Sequence, residues 1–151
     1  MTDLPTDDVS IVLGSPTSDH LRVRVIRRTH AECSDFWDGN WLSCIINVRA
    51  GSLTGQVDAD LRADEFETFR DALCRLHKEL LGEAMFSSME HWLTVKVVGD
   101  GRGRFTADCE LRDPWEGTRL TFSLVFDQTE LPSALRDMAN VLRTFPVVGR
   151  P

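Results

Sequence analysis

Two carboxylates, an amide, a glycine and three aromatic rings fall close together in Asp35-Phe36-Trp37-Asp38-Gly39-Asn40-Trp41-Leu42. Asp35, Asp38 and Asn40 offer oxygen ligands for a hard cation, but they lack the ligand count and spacing of a calcium-binding loop. Asp38-Gly39-Asn40 reads instead as a tight turn, since glycine accepts positive φ without steric cost and Asn and Asp bond back to nearby backbone. Trp41, which directly precedes the strand opened by Leu42, is expected to anchor that turn, and Trp37, beyond the glycine, to be more exposed.

His30-x-x-Cys33 and Cys74-x-x-His77 carry the ligand types of a zinc site. The pairs lie far apart in the chain and lack the usual turn context, and Cys74 falls beside an apolar helix stripe where a free thiol packs well. No metal is assigned. The four histidines, His20, His30, His77 and His91, are scattered, and no Ser or Cys stands in a nucleophile context such as G-x-S-x-G. Asp100-Gly101-Arg102-Gly103 joins two strands with no helix N-terminus after it, so it is not a phosphate loop. No catalytic residue and no cofactor is therefore assigned, and the chain is read as a non-enzyme.

The chain has 151 residues, 42% of them hydrophobic, enough for one domain with a single core; residues 1–8 read as a disordered tail. No apolar run approaches the roughly 18 residues of a membrane-spanning helix. Met1 to Asp8 is polar and acidic and lacks the basic and apolar regions of a signal peptide, so a cytoplasmic protein with reduced Cys33, Cys44, Cys74 and Cys109 is expected. A net charge of −7 argues against nucleic-acid or anionic-membrane binding and suits a basic partner.

Alternation of period two marks the elements that must carry these residues. Val9 to Leu13 is a short strand, and Leu21, Val23 and Val25 give a second one a dry face. Leu42, Cys44, Ile46 and Val48 share one phase of a third. Leu53, Gly55, Val57, Ala59 and Leu61 alternate cleanly with Thr54, Gln56, Asp58, Asp60 and Arg62 in a fourth, so one face is buried and the other wet. The period then changes: Phe66, Phe69, Leu73, Leu76 and Leu80 form a helix stripe, with Asp64 and Glu67 as a capping box and Gly82 as the left-handed stop. Ala84 to Met89 reads as an edge strand and Trp92 to Val98 as a strand ended by Gly99-Asp100-Gly101. Phe105 to Leu111 and Leu120 to Phe126 alternate on either side of the Asp113-Pro114-Trp115-Glu116-Gly117 turn. Leu131, Leu135, Met138, Leu142 and Phe145 form a second helix stripe, started by Asp127 or Thr129 and stopped by Pro146. Strands in runs separated by a helix predict an α+β fold: a mostly antiparallel β-sheet with two α-helices packed on one face, the halves sharing a pattern that suggests an internal pseudo-repeat.

Trp37-Asp38-Gly39-Asn40-Trp41-Leu42, Leu61-Arg62 with Glu65-Phe66 and Phe69, Met89-Glu90 with Trp92-Leu93, Asp100-Gly101-Arg102-Gly103, Asp127-Gln128-Thr129 with Leu131-Pro132, and Phe145-Pro146-Val147 carry a resemblance. Together they resemble the WapI family of bacterial immunity proteins, from Trp37 to Val147. The resemblance implies an immunity-type binding protein whose partner is a cognate contact-dependent toxin domain. A small-molecule or regulatory binding domain using the polar sheet face is the alternative, and an enzyme comes third because it would need a site assembled wholly by tertiary structure.

Candidate partner-binding residues are Asp35, Trp37, Asp38 and Asn40 of the turn with Asp58, Asp60, Asp108 and Glu110 of two wet strand faces. If those two strands lie in one sheet, the four carboxylates share a surface that a basic partner reads. The competing interpretation is a solvated face balanced by Arg22, Arg24, Arg49 and Arg104. Failing that face, the Asp35 to Trp41 turn and the Asp113 to Gly117 loop are the next candidates.

Overall fold

Eight strands and two long helices form where the periodicities place them, and a short helix forms where a tight turn was expected; the computed structural model describes residues 9–151, and the expected tail, residues 1–8, lies outside the described residues. In chain order the elements are β1 (Val9–Gly14), β2 (His20–Arg28), α1 (Phe36–Gly39), β3 (Trp41–Ala50), β4 (Leu53–Arg62), α2 (Ala63–Glu79), β5 (Leu81–Ser87), β6 (Leu93–Asp100), β7 (Arg104–Asp113), β8 (Thr118–Asp127) and α3 (Leu131–Thr144). The fold is α+β and mostly antiparallel sheet. It holds two sheets, β1-β2-β3-β4 and β5-β6-β7-β8, each an antiparallel meander in chain order.

The expectation of one sheet with both helices on one face is corrected here. Alternation specifies which face of a strand is dry, but it does not specify the neighbour of that strand. Chain direction breaks at α2, so the strands on either side of it never pair. The described chain is thus ββββα twice, with α1 inserted between β2 and β3, and the suggested pseudo-repeat holds at the level of topology.

The two dry faces and both long helices share one core. Ile11, Leu13, Leu21 and Val23 of the first sheet, Phe86, Leu93 and Val95 of the second, Phe66 and Phe69 of α2 and Met138 of α3 surround a single void of about 20 Å³. Helix α2 lies along β5, α3 lies along β1, and the two helices touch. Edge strands left bare would invite pairing with other chains. Asp137 of α3 covers β1 by accepting the Val12 N–H at 3.2 Å. Cys44 and Cys109 are buried as small core side chains, as expected, while Cys74 is exposed on α2. No helix of the described residues is long and apolar enough to cross a membrane.

Three helix boundaries differ from the expected ones. Helix α3 starts after Glu130 with no side-chain cap, whereas Asp127 or Thr129 was expected to start it. The capping carboxylate at the start of α2 is Glu65, which accepts the Arg62 N–H at 2.8 Å, because Asp64 turns to the Arg62 guanidinium instead. Leu80, not Gly82, takes the left-handed conformation that ends the helix, with φ 63°. Its carbonyl accepts the Gly101 N–H at 2.8 Å, an approach open because Gly99 beneath it has no side chain.

Phe69 is buried and stacks edge to face on Phe86 at 5.6 Å between ring centres. Phe69→Ala is expected to destabilise the fold by about 3 to 5 kcal/mol through lost transfer free energy and a cavity. Urea denaturation returning less than about 1 kcal/mol would mean that the shared core is not what holds the sheets together.

Candidate functional site

Arg62 holds the aromatic stretch in place. Its guanidinium is fully buried and donates to the Trp37 carbonyl at 2.7 Å, the Phe36 carbonyl at 2.8 Å and the Asp64 carboxylate at 3.0 Å. The rings of Phe36, Trp37 and Trp41 surround it with centroids 5.1, 5.8 and 4.9 Å from its carbon. A planar cation with five donors suits such a site, since it hydrogen-bonds in its plane and stacks above and below it.

Residues 35–40 are consequently a turn of helix and its cap. Asp35 caps α1 by accepting the Asp38 N–H at 3.0 Å. Gly39 is required for close packing rather than for positive φ: a side chain there would run into the Cys33 carbonyl and Val148. Asn40 is fully buried, donating to the Phe36 and Val148 carbonyls at 2.9 Å each and accepting the Val148 N–H at 2.9 Å. Its side chain is spent on the chain's own backbone, so Asn40 holds the turn and offers no free surface group. Asp35 and Asp38 are exposed, and Trp37 is 56% exposed against a half-buried Trp41.

Donor atoms of Cys33, Asp35 and Asp38 lie within 4.8 Å of one another, whereas Cys74 and His77 join no such group among the described residues. Burial and the nearby Glu32, Asp35 and Asp38 carboxylates push the Cys33 thiol up. Three donors are fewer than the four protein ligands of a structural zinc site and the six or more oxygens of a calcium site.

The four strand carboxylates separate. Asp58 and Asp60 stand on β4 and Asp108 and Glu110 on β7, in different sheets, so the shared single-sheet surface does not form. On β7 the acids have partners: Asp108 accepts from the Ser123 hydroxyl at 2.7 Å, and Glu110 pairs with Arg119 at 3.4 Å. Asp58 and Asp60 are exposed and have no ion-pair or hydrogen-bond partner among the described residues. They line a groove of about 400 Å³ together with Ser43 and Ile45 of β3, Ile26 and Arg27 of β2, and Trp92 and Trp115.

Two features of this groove escape a sequence reading. A register shift leaves Ile26 as an extra residue between Val25 and Arg27 and brings the exposed Arg27 opposite Ser43 on the wet face, where strict alternation from Val25 would have turned it inward. The β7–β8 loop of the second sheet brings Trp115 beside the wet face of the first, a juxtaposition that only tertiary structure creates. The loop itself was legible: Asp113 accepts the Trp115 and Glu116 N–H groups at 3.0 and 3.2 Å, and Gly117 closes the turn at φ 75°.

Residues 12–146 match the immunity protein WapI-like family. The chain belongs to the WapI-like immunity protein family. Among curated proteins none matches it. Its fold is similar to that in the crystal structures of Trypanosoma bruciei MRP1/MRP2, with TM-score 0.50 and 15% identity over 94% of this chain and 86% of that one. It is also similar to the structure of the plant transcriptional regulator PBF-2, with TM-score 0.56 and 10% identity over 94% and 84%. At such identities the likeness is one of fold. The family gives this WapI-like protein an immunity-type function, and several motifs that carried the resemblance are now explained: Arg62 and the residues around Trp37 and Trp41 are one cluster.

Glu65 couples that cluster to the second sheet, accepting the Arg62 N–H at 2.8 Å and the Met89 N–H at 2.6 Å. Burial pushes its carboxyl up to about 7, against the opposing pull of those two N–H groups. A carboxyl with a raised folded-state pKa favours folding below its unfolded value, about 4.5, and loses that contribution as pH rises through about 7. The stability of the wild type relative to Glu65→Gln is therefore expected to fall between pH 4.5 and 7 and to be flat on either side, as read by urea denaturation across pH. A difference that rises over this range would show that the folded state holds Glu65 ionised. Arg62→Met should cost about 3 to 5 kcal/mol, because it leaves Asp64 without its cation and the part-buried Trp37 carbonyl without its donor. A loss under about 1 kcal/mol would show that the aromatic cluster stands without its cation.

Proposed function

We propose that this WapI-like protein neutralises a cognate contact-dependent bacterial toxin by binding the toxin domain directly, within the cell that makes both. The observation that carries the reading is the family match over residues 12–146. A net charge of −7 supports it, since acidic surfaces speed encounter with a basic partner. The same charge opposes contact with a phosphate backbone, which rewards lysine and arginine.

The small-molecule alternative draws less support. Ligand pockets enclose about 300 to 1,000 Å³, whereas the apolar space between the sheets measures about 20 Å³, and the larger spaces, the groove at Asp58 and Asp60 and two clefts of about 580 Å³ at Arg22 and Asp137 and at Lys96 and Asp108, are open to solvent. Asp35, Trp37, Asp38, Asp58, Asp60, Asp108 and Glu110 stay as candidate contacts on grounds of exposure and charge, with Asp108 and Glu110 weakened by their existing partners.

The test is co-expression with the toxin domain encoded beside this gene. Growth should be restored, and the two chains should co-elute as a stable complex on gel filtration. Unrelieved growth arrest together with separate elution would refute the reading.

A further inference from the structure

We infer that the groove between Trp115 and the Asp58–Asp60 pair is the docking site for an arginine-bearing segment of the toxin; this deepens the immunity reading and rests on it. Three observations on the groove agree. The first concerns available charge. Of the strand carboxylates, Asp58 and Asp60 alone lack a partner among the described residues, so meeting a cation breaks no existing contact. Arg27 also lines the groove, but it sits on β2 opposite Ser43, with β3 between it and Asp60, so the groove is acidic at its β4 end.

The second is the aromatic wall. Trp115 is 81% exposed, on a loop whose backbone is held by the Asp113 carboxylate. A tryptophan covers a large area for only two rotatable bonds, and its face attracts a guanidinium. The third is an unmet donor. Trp92 lines the same groove, is 5% exposed, and its indole N–H has no hydrogen-bond partner among the described residues. Buried donors are nearly always satisfied, so this one calls for an acceptor such as a carbonyl of the incoming segment. An arginine with its own backbone supplies all three complements: a cation for the aspartates, a flat face for Trp115 and a carbonyl for Trp92.

The probe is a catalytically inactive form of the toxin domain encoded next to this gene, with association and dissociation followed at low and high salt. Asp58→Lys with Asp60→Lys is expected to slow association by about tenfold or more at low salt, with the deficit shrinking as ionic strength rises. Trp115→Ala should speed dissociation by about tenfold or more. Both variants should melt like the wild type, because the altered side chains are exposed, and Glu67→Lys with Glu79→Lys, both exposed on α2, should bind normally. In the wild-type complex, hydroxyl-radical footprinting should protect Trp115 and leave Trp37 reactive. Groove variants that bind like the wild type, or protection of Trp37 in place of Trp115, would overturn the groove assignment and leave the immunity reading standing. Failure of the wild type to bind or protect would overturn both.

Discussion

A buried guanidinium is unstable unless its charge and its donors are met, and Arg62 meets them with pieces from separate parts of the chain. Its donors end on carbonyls of α1 and on Asp64 of α2, its faces rest on three rings, and its own backbone N–H is capped by Glu65. Glu65 in turn holds the backbone that leads into β6. The loop from Asp35 to Trp41, the junction between the two sheets and the entry to the second sheet therefore form around one side chain. The chain end joins the same construction: Asn40 pairs with Val148, and Arg28 donates to the Gly39 carbonyl and to the Pro146 carbonyl. These are backbone partners, so the arrangement depends on the path of the main chain more than on the identity of the residues whose carbonyls are used.

Much of the fold was legible because strand and helix periods are local. Leu42, Cys44, Ile46 and Val48 are all buried, as their shared phase required, and so are Phe66, Phe69, Leu73 and Leu76. What could not be read was pairing across sequence distance. One meander and two meanders have the same alternation, and only the interruption by α2 distinguishes them. Arg62 was placed correctly on the polar phase of β4, where arginine ordinarily faces water, but the last residue of the strand turns inward as the helix begins. Asn40 was misassigned for a related reason: a polar residue in a turn looks like surface until the distant strand of backbone that satisfies it is known.

The candidate site divides along the same line. Asp58 and Asp60 follow from alternation alone. Their availability does not, since it depends on which acids find cations or hydroxyls across neighbouring strands. Trp115 was visible as a turn tryptophan, and its place beside β4 could not be, because it belongs to the other sheet.

Pleating assigns the even and odd residues of β4 to different tasks, Ala59 and Leu61 to the core and Asp58 and Asp60 to the outside. A lineage can therefore change the outward residues of this strand one at a time while the inward ones keep the protein folded. Under the proposed groove assignment, that separation lets specificity drift without passing through unfolded intermediates, and the turn around Trp115, whose backbone Asp113 holds, offers a second position where the same holds.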